Sequence, residues 1–181
     1  DWAFITHMVE TAVDDGGRVG VVVPHGVLFR GSSEGKIRES MIKDNLLDAV
    51  IGLPEKLFFG TGIPAAILIF KKDRERKDVL FIDASKEFGT GTKQNRLTPD
   101  NIRKILKTYD DYEVTDKYSY VATPEEIAEN DYNLNIPRYV DTFVPEAEVD
   151  IVAVNAEIAA TEQQLADVQA RIRGYLNNLN I

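Results

Sequence analysis

Few residues in this chain have the type and spacing for chemistry. His25 follows Pro24 at the end of the apolar run Val19–Val23, and α/β sheets bind ligands beyond the carboxyl ends of their strands. A lone histidine at such a place can handle a proton or be bonded into the scaffold, and the second is the commoner fate. Asp83 closes another short apolar run and reads as a turn or cap residue. Gly60-Thr61-Gly62 opens no helix, and Gly89-Thr90-Gly91 lies in a polar stretch, so neither has the context that cradles a phosphate. No serine sits on a nucleophile elbow, and no two carboxylates have a spacing suited to acid–base work. Cysteine is absent and His7 and His25 are the two histidines. Disulfides, thiolate chemistry and a multi-histidine metal centre are thereby excluded.

Composition narrows the class further. The 181 residues are 44% hydrophobic and 28% charged, with a net charge of −9, a globular balance rather than a disordered one. There is no apolar run near 18 residues and no basic-then-apolar leader, so neither a membrane span nor a secretory signal is expected. Lack of cysteine suits a reducing cytoplasm. The charge is uneven. Residues 71–107 carry eleven basic and six acidic side chains, whereas residues 108–170 carry two basic and fifteen acidic ones. The basic stretch can face a phosphate backbone or be an ordinary solvated surface; the acidic stretch faces water or a basic protein, not DNA.

The elements that must position these residues follow from periodicity. Trp2, Ile5, Val9, Ala12 and Val13 recur at helical spacing up to the Asp14-Asp15-Gly16-Gly17 stop. Val19–Val23 reads as a strand buried on both faces and ended by Pro24. Ser32 or Ser33 is expected to cap a helix carrying Ile37, Met41 and Ile42. Leu46–Leu53 reads as a second strand and Ala65–Phe70 as a third. The eleven-residue link Pro54–Pro64 between them holds an amphipathic turn at Glu55–Phe58. Val79–Ile82 is a short strand, residues 85–96 read as a loop, and Thr98-Pro99 starts a helix. Tyr118–Val121 is a candidate strand, and Thr123-Pro124-Glu125-Glu126 is a capping box for a short helix ending near Asn130. Apolar strands alternating with helices predict an α/β sheet.

The last segment has the cleanest period in the chain. Ile151, Val154, Ile158, Thr161, Leu165, Val168, Ile172, Tyr175 and Leu179 step by three and four. That is an a/d seam sustained for about four heptads, flanked by polar residues such as Glu157, Glu162, Gln164 and Gln169. A stripe this narrow is expected to pack on a partner helix or on this chain's own body. The chain divides into an α/β part at 1–82, an α+β extension at 83–145 and a long amphipathic C-terminal helix at 146–181.

Three stretches, in this order and spacing, resemble one known family. They are Val23-Pro24-His25-Gly26-Val27-Leu28-Phe29-Arg30 with Glu34-Gly35-Lys36-Ile37-Arg38; Val50-Ile51-Gly52-Leu53-Pro54-Glu55-Lys56-Leu57-Phe58-Phe59-Gly60-Thr61-Gly62-Ile63-Pro64; and Asn130-Asp131-Tyr132-Asn133-Leu134-Asn135-Ile136-Pro137-Arg138-Tyr139-Val140. They resemble the C-terminal part of the modification (DNA methyltransferase) subunit of type I restriction–modification systems. Asp1-Trp2-Ala3-Phe4 is similar to the family's segment after its catalytic motif.

The resemblance implies methyl transfer from S-adenosylmethionine to adenine N6 in DNA, with the base flipped out of the duplex. It implies the C-terminal half of a class I S-adenosylmethionine-dependent methyltransferase sheet, with the three strands here as its last three and Ala65–Phe70 antiparallel. The family's Gly-rich cofactor loop and Asn/Asp-Pro-Pro-aromatic motif are not in this sequence. The chain, which begins at Asp1 rather than Met, is therefore expected to be a fragment that neither binds S-adenosylmethionine nor methylates DNA by itself. By the same resemblance Phe59 stacks on the flipped base, and Phe58 lies in the core or, as a second candidate, lines the pocket. Thr61 and Gly62 shape the loop, and Pro24, His25 and Gly26 line the pocket. Arg30 and Arg38 meet phosphate or pair with Glu34 or Glu39. The helical seam would dock on the long helices of a specificity subunit, with DNA reached through the assembled complex and the restriction subunit engaged indirectly. The reading from a different class is a non-catalytic interaction module whose C-terminal helix is the function.

Overall fold

The spacing of Trp2, Ile5 and Val9 makes helix α1 (Trp2–Thr11), whose buried face carries those three residues. The computed structural model describes residues 1–91, 93–143 and 150–178. Gly16, at φ +67°, turns the chain into strand β1 (Arg18–Pro24). A short helix α2 (Gly26–Phe29), not expected from periodicity, and helix α3 (Ser32–Lys43) lead to β2 (Leu47–Gly52) and β3 (Ala65–Lys71). Next come β4 (Val79–Asp83), a small hairpin of β5 (Gly89–Thr90) and β6 (Asn95–Arg96), and helix α4 (Pro99–Asp111). Strand β7 (Ser119–Ala122), helix α5 (Pro124–Glu129) and a 3-10 turn (Ile136–Arg138) complete the unit spanning residues 1–143.

The fold is mixed α/β around a five-stranded sheet in the order β1-β3-β2-β4-β7. Strand β3 lies antiparallel between β1 and β2, β2 is parallel to β4, and β4 is antiparallel to β7. The period-2 alternation of β3 divides its side chains between two cores. Ala66, Leu68 and Phe70 join Trp2, Ile5, Val27, Leu28, Phe81 and Ile127 on one face. Ala65 joins Ile51, Leu53, Leu80, Ile82, Ile105 and Tyr118 on the other, with Ile67 and Ile69 packed beside it. Helix α4 thus covers one face and α1 and α5 the other.

Three local expectations need correction. Strand β1 is not buried on both faces: it is the sheet's edge strand, and Gly20, Val22 and Pro24 are exposed while Val19, Val21 and Val23 pack inward. Its apolar run matched that of a central strand because sequence does not show which strand lacks a neighbour. Neither Ser32 nor Ser33 caps α3; Gly31 is the N-cap residue, with no side-chain cap, and Ser32 enters the helix at φ +56°. Residues 85–96 contain the β5–β6 hairpin rather than loop alone. By contrast, the Thr98 and Thr123 caps both form as full capping boxes, with Asn101 and Glu126 as the reciprocal partners.

The second unit spans residues 144–181, and its described element is helix α6 (Ile151–Asn178). Asp150 begins it, its Oδ1 accepting from the Val152 and Ala153 amides at 2.9 and 3.0 Å. At 1.5 Å per residue the helix is about 42 Å long. Ile151, Val154, Ile158, Leu165, Val168, Ile172 and Tyr175 lie along it. Leu179, and residues 146–149 at the start of the expected helical segment, lie outside the described residues. Among those described, no helix is long and apolar enough to cross a membrane.

Candidate functional site

Strands β1, β2 and β4 run the same way, so Pro24, Gly52 and Asp83 end at one edge of the sheet, where β3 begins at Ala65. The Pro54–Pro64 link crosses this edge. Pro24 pairs with Ala65 in register, which brings the end of β1 beside the return of the link. Val22, Pro24, Phe58, Thr61, Ile63 and Pro64 are among the walls of an open apolar groove there, with a volume of about 250 Å³.

The link takes its shape from two left-handed residues, Lys56 at φ +57° and Gly60 at φ +76°. Lys56 carries a side chain in a region that glycine prefers, so that turn needs outside support. Gly60 allows the second turn without a Cβ penalty. The Thr61 hydroxyl then accepts the Ile63 amide at 3.1 Å, closing a local turn. Between the two turns Leu57, half-buried, packs against the core on that face of the sheet. Of the two places open to Phe58, core or pocket wall, the structure gives the second: it is 43% exposed and forms a wall of the groove. Phe59 is 92% exposed.

His25 is held by the scaffold. Its Nε2 lies 3.1 Å from the Ala65 carbonyl, so that nitrogen carries the proton and donates. This bond ties the end of β1 to the start of β3. His25 is not among the residues lining the groove, nor are Gly26, Gly62 and Phe59. Gly26 starts α2, and a Cβ there would come within 3.0 Å of the Arg30 guanidinium. Asp83 makes the expected turn, its Oδ1 accepting the Ser85 amide at 2.9 Å.

The two arginines behind this edge separate. Arg30 pairs with Asp1 at 2.6 Å and Glu34 at 3.7 Å. Arg38 is 3% exposed, so it meets no phosphate. It donates from Nε to the Tyr132 carbonyl at 2.7 Å and from Nη1 to the Arg30 carbonyl at 2.8 Å. Burial lowers its pKa from the ordinary arginine value. The Leu134 amide meanwhile donates to the Leu28 carbonyl at 2.9 Å. The first and third resemblance stretches are thus bonded to each other. Ile136 from the third packs on Gly52 of the second, where a Cβ would lie only 2.7 Å from Ile136 Cδ1.

One residue of the site had no signal in the sequence. Asn95, in β6, donates from its backbone N–H to the Lys56 carbonyl at 3.0 Å and from Nδ2 to the Glu55 carbonyl at 2.9 Å. Nothing in a polar, Gly-containing stretch distinguishes it from its neighbours. Much of the basic stretch, in turn, is engaged within the chain: Lys72 with Asp14, Arg74 with Asp48, Lys104 with Glu87, and Lys107 with Asp111 and Glu113.

The groove offers apolar contact to a flat ligand and an exposed aromatic ring beside it. No group of three or more His, Asp or Glu side chains placed to hold a metal ion occurs among the described residues. The groove walls contain no carboxylate and no imidazole, so proton transfer is not the chemistry these walls can supply.

Residues 1–148 match the model of the N-6 DNA methylase family. The chain is 36% identical to the type I restriction enzyme MjaVIII methylase subunit of Methanocaldococcus jannaschii, over 99% of this chain and 32% of that protein. It is 32% identical to the MpnII methylase subunit of Mycoplasma pneumoniae, over 100% of this chain and 33% of that one. The solved type I restriction–modification methyltransferase subunit of Streptococcus thermophilus superposes with a TM-score of 0.76 at 52% identity, over 78% of this chain and 30% of that chain. The chain therefore spans about a third of the length of the relatives it matches.

Proposed function

Because the chain belongs to the N-6 DNA methylase family, we propose that it supplies the target-base side of a type I restriction–modification methyltransferase. In this reading the parent protein transfers a methyl group from S-adenosylmethionine to adenine N6 in DNA. The observation that carries it is Phe59, 92% exposed on a turned loop beside an apolar groove at the carboxyl edge of the sheet. A fully exposed aromatic held by a defined turn is suited to a planar partner, and an extrahelical base has such a face. Pro24, Phe58 and Thr61 form the wall against which that base rests. Gly60 lets the loop turn back, and His25 holds the end of β1 to the start of β3.

S-adenosylmethionine asks for a carboxylate to accept its ribose hydroxyls and for a Gly-rich turn that lets backbone approach it. The groove has neither. Its side-chain polar group is the Thr61 hydroxyl, which already accepts the Ile63 amide. These residues do not fit the cofactor, and no methyl-transfer step is assigned to them. Strand β3, antiparallel between β1 and β2, supports the reading of the sheet as the C-terminal half of a methyltransferase sheet. With a groove that does not fit the cofactor, the chain on its own is expected to be inactive. Helix α6, with its seam from Ile151 to Tyr175, docks on a helix of the specificity subunit, and DNA and the restriction subunit are met in the assembled complex. A non-catalytic interaction module would need the same helix but gives no reason for an exposed Phe59.

The test is Phe59→Ala in the intact methyltransferase. Base–aromatic stacking of about 1–3 kcal/mol predicts a turnover loss of about five-fold or more, together with weaker fluorescence from 2-aminopurine placed at the target base. Wild-type kinetics would remove the assignment.

A further inference from the structure

The Pro54–Pro64 link presents Phe59, yet its backbone has little hold on the rest of the protein. Among the described residues, the two hydrogen bonds that reach its backbone from outside both come from Asn95. The Asn95 amide donates to the Lys56 carbonyl and the Asn95 carboxamide to the Glu55 carbonyl. They close on the turn where Lys56 holds a left-handed backbone. Such a conformation costs on the order of 1 kcal/mol and persists only when its surroundings hold it. Asn95 is itself fixed. It pairs with Thr90 across the β5–β6 hairpin. The hairpin abuts the start of α4, where a Cβ on Gly89 would lie 3.0 Å from Thr98 Cγ2. Glu87, just before the hairpin, accepts from Asn101 Nδ2 at 3.2 Å and pairs with Lys104. A continuous set of contacts thus runs from α4 through the hairpin to the turn that aims Phe59.

We propose that Asn95 is a positioning residue for the target-base loop: its two hydrogen bonds fix the Glu55–Lys56 turn and so set the direction in which Phe59 projects. The role in turnover rests on the stacking reading above, whereas the mechanical role does not. Asn95 touches neither base nor cofactor in this scheme, and it acts through Phe59.

The experiment uses the intact methyltransferase carrying Asn95→Ala or Asn95→Asp. The aspartate keeps the shape of asparagine but faces the Glu55 carbonyl with an oxygen instead of an N–H. Hydrogen exchange followed by mass spectrometry reads the residue-95 amide, which donates to the Lys56 carbonyl, with peptides from β2 and β3 as internal references. Relative to its intrinsic rate, exchange of this amide should accelerate about five-fold in Asn95→Ala, as expected when loss of one net hydrogen bond loosens the turn, and at least as much in Asn95→Asp, while the reference peptides keep their rates. Turnover should fall with KM for DNA little changed, and Asn95→Ala should add nothing to Phe59→Ala. Unchanged exchange of the residue-95 amide in both variants overturns the proposal, as does an Asn95→Asp protein that behaves like wild type, which would mean the side chain only fills space. If that amide exchanges faster but Phe59→Ala has wild-type kinetics, the clamp stands and the stacking reading fails.

Discussion

Arg74 and Asp48 meet at the end of the strands opposite the groove, Nε to Oδ1 at 2.9 Å, with side chains 2% and 10% exposed. Asp48 is the second residue of β2, where the pairing with β3 shifts between Leu47 and Ala49. The Tyr109 hydroxyl donates to its other oxygen at 2.5 Å. Arg74 also donates to the carbonyls of Leu47 and Asp78 and to Asn45 Oδ1. One side chain thereby ties the starts of β2 and β4 together.

Removing one partner of such a pair strands a buried charge. Arg74→Met should cost about 3–5 kcal/mol, read as a lower urea midpoint at unchanged m-value. Combining it with Asp48→Leu should recover part of that loss, because no charge then remains unpaired. An Arg74→Met chain as stable as wild type would show that the pair is not part of the folded state.

Alkaline pH attacks the buried tyrosines on both faces of the sheet. Burial, above all, raises Tyr112, Tyr118 and Tyr139 from 10.0 to about 12 each. An unfolded tyrosine ionises near pH 10, so the unfolded state loses protons first. The stability that these neutral phenols contribute is complete below about pH 10 and is lost as pH rises toward 12. Denaturation midpoints followed from pH 8 to 12, with phenolate absorbance at 295 nm, should show ionisation and unfolding together. The Tyr118 hydroxyl is buried with no hydrogen-bond partner among the described residues, so Tyr118→Phe should be neutral or stabilising at pH 7 and should flatten the alkaline slope. Tyrosines that titrate near pH 10 in the folded chain would contradict this.

Gly52 and Ile136 should behave as a coupled pair. Gly52→Val forces a branched side chain against Ile136 and should destabilise by about 1–3 kcal/mol. Ile136→Ala costs stability alone by leaving a cavity, yet it should rescue part of the Gly52→Val loss. Simple additivity in the double-mutant cycle would mean the two side chains do not compete for the same space.

Helix α6 carries the assembly prediction. Ile158→Glu with Leu165→Glu places two charges on the seam, and co-purification of the intact subunit with its specificity partner should fall to background. The urea midpoint of residues 1–143 should not move. Assembly at the wild-type level would refute the docking role of the seam.

The chain's local rules were readable from the sequence because they depend on near neighbours. The Trp2-Ile5-Val9 period, the Thr98 and Thr123 caps and the apolar runs of β2, β3 and β4 each rest on spacings of two to four residues. The family resemblance likewise rests on short stretches in order. Long-range placement was not readable. Val19–Val23 has the run of a buried strand, and only pairing showed it to be the edge. Phe58 and Phe59 are the same residue type in adjacent positions, and neither is in the core, against which Leu57 packs instead.

What the sequence alone determined is therefore the α/β class, the positions of most elements, the aromatic loop and the seam of the last helix. The tertiary structure decided which polar side chains became scaffold. Arg38 bonds carbonyls 94 and 8 residues away in sequence, His25 reaches Ala65, and Asn95 closes on Glu55 and Lys56. Those roles belong to backbone carbonyls that every residue possesses, so no residue type marks the partner in advance. A hydrogen bond at 2.9 Å exists only once the sheet has brought donor and acceptor together.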